Sequence, residues 1–278
     1  MRNGPDPTPQ SADNSAARYS ETRGYGTPVV NVMAGRTAER EGAFFLAHLR
    51  PGMRVLDVGC GPGTITLGLA QAVAPGEVVG IDVEPSQIDA ARALAEEQKV
   101  ANLYFATGRG EALDFPDGSF DAAFSYATIE HVPEPLAILR EMRRVVRHGG
   151  LAGVDASDWG GRVTEPQIPV IEEAIAVWVR LWEHNGGHAR LGRQQRRLMR
   201  MAGFGELQTT AGTLQLTPGA GKLMAGLVSA PRFVERVTTL GWTDRETIER
   251  WGTVLREWDE NPDALWAHMR FATVGWAE

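Results

Sequence analysis

From residue 52 onward the chain alternates short apolar runs with longer amphipathic ones. MRVLDV, EVVGID, NLYFAT, FDAAFS and LAGVDA are nearly continuous in apolar residues, the pattern of strands covered on both faces. Between them, the stretches that begin after Gly63, Pro85 and Pro135 read as helices. The last sets Leu136, Leu139, Met142 and Val146 on one stripe and turns Glu141, Arg143 and Arg147 elsewhere, so it packs on a sheet through one face. Strands that alternate with helices need crossover connections and build a mostly parallel sheet.

Beyond Ser157 the rhythm changes. Ile168, Ile171, Ile175, Val179 and Trp182 fall at helical spacing, and so do Ile248, Trp251, Leu255 and Trp258. ELQTTAGTLQL and the closing HMRFATVGWA read as two further strands, which brings the total to seven. The expected fold is α/β: a doubly wound, mostly parallel, seven-stranded sheet with helices on both faces and an added C-terminal helical lid. We expect a flexible tail over 1–35, a cofactor-binding core over 36–156, and over 157–278 an elaboration that encloses a substrate and adds the last strands.

Composition narrows the partners. The formal charge of -7 works against non-specific nucleic-acid binding, because phosphate backbones reward clustered Lys and Arg. A single cysteine, Cys60, forms no internal disulfide framework. The N-terminal stretch lacks the apolar run of a signal peptide, and no stretch of about twenty apolar residues suits a membrane span. A cytoplasmic protein with a small-molecule partner is expected, and a homodimer is left open.

The most informative segment is VLDVGCGPGTIT, where a strand runs through Asp57 into Gly59, Gly61 and Gly63 and then into a helix. Glycines there let the backbone turn tightly and let a ligand approach main-chain atoms. The spacing is GxGxG, and Thr64 stands where a dinucleotide fingerprint wants its third glycine. Asp57 would repel a pyrophosphate but suits an ammonium group. Asp82 ends the second strand nineteen residues after Gly63, where a carboxylate can accept from both ribose hydroxyls. GxGxG with Asp57 favours an amino-acid-bearing cofactor over NAD or FAD, whereas Asp82 fits either.

The chain resembles the class I S-adenosylmethionine-dependent methyltransferases, in the branch of ubiquinone/menaquinone-type and natural-product enzymes. The resemblance rests on RTAEREGAFFLAHLRPGMRVLDVGCGPGTIT, GIDVEPSQI, GRGEALDFPDGSFDAAFS, ATIEHVPEP and LREMRRVVRHGGLAGV, in that order. It implies S-adenosyl-L-methionine as cofactor, held by Asp57, Gly59, Gly61, Gly63 and Asp82, with Val83, Arg109, Gly110 and Ser125 completing the set. One departure stands out: the family usually has an acidic residue that accepts from the adenine amino group where this chain has Arg109. Arginine cannot accept. It either stacks on the ring or faces solvent, while the N–H of Gly110 reaches the adenine.

Methyl transfer from a sulfonium is an in-line displacement that gains most from positioning in a dry site. No HExxH and no Cys/His cluster argues for a metal. His131, after the fourth strand, is the candidate base, with a structural histidine as the plain alternative. Tyr126, Asp155 and Asp158 are candidates for acceptor contacts. Competing readings are a NAD- or FAD-binding oxidoreductase and a methyltransferase-like protein without methyl transfer. The loop SYATIEH does not resemble the Asn-Pro-Pro-Tyr loop used on adenine bases.

Overall fold

A computed structural model describes residues 32–216 and 218–278, so most of the tail expected over 1–35 lies outside the described residues. Two short helices, α1 (Ala38–Glu41) and α2 (Ala43–Leu46), lead into β1 (Val55–Val58), whose four residues are all buried. There follow α3 (Thr64–Val73), β2 (Val78–Asp82), α4 (Pro85–Glu97), β3 (Leu103–Thr107) and β4 (Phe120–Tyr126). A 3-10 turn, Ile129–His131, precedes α5 (Pro135–Val145) and β5 (Val146–Glu165). The remainder is α6 (Pro169–His184), a 3-10 turn Gly192–Gln194, α7 (Gln195–Ala202), β6 (Phe204–Gln215), α8 (Ala220–Val228), α9 (Pro231–Thr239), α10 (Arg245–Asp259) and β7 (Leu265–Ala277).

These strands form one seven-stranded sheet in the order β3-β2-β1-β4-β5-β7-β6. β1 to β5 pair in parallel, and β7 enters antiparallel between β5 and β6. The chain winds outward from β1 through β2 to β3 and then returns to β1's other side as β4. That reversal opens a crevice at the carboxyl ends of β1 and β4, the place where open α/β sheets bind ligands.

The boundary expected between 156 and 157 falls inside β5, which continues without a break into the second half. β5 and β7 stay paired from Leu151↔Trp276 out to Glu165↔Leu265, with a register shift between Asp158 and Val163. β6 pairs with β7 as far as Gln215↔Ala267, so β5, β7 and β6 extend together and carry the helical elaboration. Its core is aromatic: Trp178 on α6, Trp251 on α10 and Trp266 on β7 are fully buried, each side chain contributing about 2–3 kcal/mol of transfer free energy. α10 starts at Asp244, whose carboxylate accepts from the Thr247 N–H at 2.8 Å, and it ends with Asp259, which reaches across to α8. There Asp259 Oδ1 accepts from the N–H groups of Gly219 and Gly221 at 2.9 and 2.8 Å, capping α8 from its neighbour.

Candidate functional site

The glycine turn builds one end of the site. Gly59 and Cys60 donate their N–H groups to the Ile81 carbonyl at 2.8 and 3.0 Å, and Gly61 donates to Asp82 Oδ2 at 2.9 Å. Asp82 Oδ1 accepts from the Glu84 N–H at 3.0 Å. Gly63 has φ +81 and caps α3 in the left-handed region, where a side chain is strained; a Cβ there would also lie 2.8 Å from Phe105 Cζ. Burial pushes the Asp82 carboxyl up from its usual value against the pull of these backbone donors.

A cavity lies over the turn. Gly59, Asp82, Val83 and Gly110 line it, together with Ile81, Gly108 and Glu111. Asp57, Gly61, Gly63 and Ser125 lie behind that lining. Asp57 is buried and accepts from the Thr66 hydroxyl at 2.7 Å. Burial raises its pKa to about 7, the Thr66 bond opposing and the Asp82 charge adding. Ser125 is buried with its hydroxyl donating to the Val58 carbonyl at 2.9 Å. Gly61 and Gly63 belong to the turn itself, and Asp57 and Ser125 tie the adjoining strand ends to Thr66 and Val58.

Arg109 also stands outside the lining. Its side chain is 40% exposed and pairs with Glu111 at 3.5 Å. Glu111 is the acidic group that this segment presents to the cavity, a residue the motif comparison passed over because it sits two places further along.

At the other end Tyr126 closes β4, and two guanidinium groups lie over its ring: Arg36 at 5.0 Å and Arg270 at 4.4 Å from the centroid. His131 lines the cavity and stacks on Trp182, ring centroids 4.9 Å apart. His268 and Trp159, both lining, stack at 5.2 Å. β6 contributes Leu214, Leu216 follows its end, and α8 contributes Leu223, Met224 and Leu227. Of the helices expected to form a lid, α8 meets the cavity; α10 packs against it from behind, and α6 supports the aromatic wall. Val32, Met33 and Arg36 cover the N-terminal side, where Met33 O accepts from the Thr64 hydroxyl at 3.1 Å.

The two aspartates expected to touch an acceptor are engaged elsewhere. Asp155 is buried beside the cavity with Oδ1 accepting from Arg270 Nε at 2.6 Å and from Nη2. Burial raises its pKa to about 6, opposed by the Arg270 charge and hydrogen bond. Asp158 points away, fully buried in a fork from Arg193 and accepting from the Gly160 N–H at 3.0 Å. Sequence reasoning missed Arg36, Thr128, Trp159, His268 and Arg270 as cavity residues.

Among the described residues, no group of three or more His, Cys, Asp or Glu side chains is placed to hold a metal ion, and no helix is long and apolar enough to cross a membrane.

Residues 49–205 match the family model described as a methyltransferase domain. The demethylmenaquinone methyltransferase of Lactococcus lactis is 30% identical over 129 residues, 46% of this chain and 48% of that protein. The 2-methyl-6-phytyl-1,4-hydroquinone methyltransferase of Synechocystis is 38% identical over 125 residues, 45% of this chain and 37% of that protein. In both cases the match spans about half of the relative's length or less. Among solved structures, the YcgJ protein of Bacillus subtilis shares the fold with a TM-score of 0.60 at 21% identity, over 86% of this chain and 99% of that one.

Proposed function

Because the chain belongs to the methyltransferase-domain family, we propose that it is an S-adenosylmethionine-dependent enzyme that methylates a small-molecule acceptor. The observation that carries this reading is a single cavity with two chemically distinct ends: Asp82 and Glu111 at the strand ends of the glycine turn, and an aromatic chamber with basic side chains at the other. The two quinol-type relatives are methyltransferases and lend no support to the oxidoreductase reading.

The residues present fit the cofactor. A Cβ on Gly110 would come within 2.9 Å of Val58 Cγ1 and 3.1 Å of Ile138 Cδ1, so the main chain after β3 packs directly on side chains of β1 and α5 there. Asp82 keeps acceptor capacity beyond its two backbone donors and is the group that would take the ribose hydroxyls. Gly59 and Val83 would border the nucleoside, and Glu111 would take the adenine amino group in place of Arg109.

When bound, S-adenosylmethionine supplies an electrophilic methyl carbon on a sulfonium. The chain's own contribution is to orient an acceptor toward that end of the cavity and exclude water from it. Tyr126, with the guanidinium groups of Arg36 and Arg270 against its ring, would form the floor under the acceptor. His131, held flat against Trp182, is placed to take a proton from an acceptor hydroxyl or amine. α8 and the tip of β6 give the apolar wall that keeps the site dry.

The test is incubation of the full chain with methyl-labelled S-adenosylmethionine and a metabolite extract, read by mass spectrometry. A labelled small-molecule product is expected. Tight binding of S-adenosylhomocysteine with no labelled product from any extract would favour a protein of this fold that does not transfer methyl.

A further inference from the structure

β7 alternates its side chains between the two faces of the sheet, and Trp266, His268 and Arg270, two residues apart, all line the cavity. Arg270 is the charged member of that row. Its Nε and Nη2 both bond Asp155 Oδ1, so one edge of the guanidinium is fixed and Nη1 lies outside that pair. Tyr126 lies against its face at 4.4 Å. The carboxylates of Asp155 and Glu130 favour the charged guanidinium against its burial.

The charged lining of the cavity is sorted along the sheet. Its acidic groups are Asp82, which ends β2, and Glu111, which follows β3, whereas Arg270 stands on β7, four strand intervals from β2, or about 19 Å. Arg36, His131 and His268 line the same end as Arg270, and the carboxylates nearest to it, Asp155 and Glu130, lie behind the lining. A guanidinium fixed by a buried carboxylate, with a donor group left over and aromatic rings around it, is built to receive an anionic oxygen on a flat body.

We propose that Arg270, positioned by Asp155 and Tyr126, is the specificity-determining residue for the acceptor, and that it selects a molecule with a flat apolar body bearing an anionic oxygen, either a carboxylate or an ionised acidic hydroxyl. The proposal rests on the methyltransferase reading above. A guanidinium bonded to an oxygen withdraws charge from it, so this oxygen is the handle by which the acceptor is held, and the atom that attacks the methyl group is another one.

Three probes with one ring system test this by calorimetry on the full chain saturated with S-adenosylhomocysteine: 2-naphthoate, ionised 2,4-dinitro-1-naphthol and neutral 2-naphthylmethanol. At least one anion is expected to bind about tenfold or more tighter than the alcohol, and the stronger of the two identifies the oxygen chemistry. The double variant Arg270→Gln with Asp155→Asn keeps a neutral hydrogen-bonding pair, which avoids an unpaired buried carboxylate. It should reduce the preference to within about twofold while S-adenosylhomocysteine binds as in the wild type. Equal binding of anions and alcohol by the wild type, a preference that survives in the double variant, or no binding of any probe would overturn the proposal. Loss of S-adenosylhomocysteine affinity with the preference intact would assign Arg270 to the cofactor and overturn it too. Failure of the wild type to bind S-adenosylhomocysteine at all would instead remove the underlying reading.

Discussion

The main-chain N–H of Gly61 donates to Asp82 Oδ2 at 2.9 Å, so the turn after β1 is tied to the last residue of β2. The same carboxylate lines the cavity and takes a second backbone donor from Glu84. One buried side chain thus sets the turn and faces the ligand, and removing it should cost on both accounts.

Asp82→Ala should therefore weaken S-adenosylhomocysteine binding by about 1–3 kcal/mol, the range for leaving partners of a buried acceptor unsatisfied. Titration calorimetry measures it. Affinity unchanged from wild type would place the nucleoside elsewhere.

Asp57 gives a pH signature. Its carboxyl titrates near 3.8 when unfolded and at about 7 in the fold, chiefly because of burial. The folded state therefore binds the extra proton, and the stability this brings is full below about pH 4 and lost as pH rises through 7. Asp57→Asn keeps an acceptor for the Thr66 hydroxyl and stays neutral. In ligand-free protein its melting temperature relative to wild type should rise between pH 5 and pH 8, by an amount equivalent to about 1–3 kcal/mol. A flat difference across that range would refute the assignment of a proton to this site.

Arg109 and Glu111 separate by role. With Arg109 half out in solvent and Glu111 lining the cavity, Arg109→Asp should leave S-adenosylhomocysteine affinity within about twofold, whereas Glu111→Gln should weaken it by about 1 kcal/mol. The reverse order in calorimetry would mean that the guanidinium reaches the adenine.

Much of this arrangement was legible in the sequence, and the reasons differ by element. β1, β2 and β4 are covered on both faces, so their apolar runs announce them, and three turn glycines with Asp82 announce the ligand end. The full reach of β5 was not legible, because beyond Asp158 it passes through Gly160 and Gly161 and is strand only by pairing with β7. Asp155 and Asp158 read as free carboxylates because their partners, Arg270 and Arg193, lie 115 and 35 residues away. The pair His268 and Arg270 carried a usable signal: in HMRFATVGWA, already read as a strand, alternate positions share a face.

His131 is testable apart from its packing. If it removes the acceptor proton, His131→Ala should lower kcat by about 10²–10⁴ while S-adenosylhomocysteine affinity holds, because Trp182 loses a stacking partner but the nucleoside end is untouched. Steady-state rates with the identified acceptor, paired with calorimetry, make the comparison. A kcat within twofold of wild type would leave the imidazole as a packing residue.

The most direct measurement of the central claim is calorimetric titration of the full chain with S-adenosylhomocysteine and, separately, with NAD. The two-ended cavity, with Asp82 and Glu111 at the end proposed for the nucleoside, predicts one site of micromolar affinity for S-adenosylhomocysteine and no heat from NAD at matched concentration. Binding of NAD with none of S-adenosylhomocysteine would contradict it.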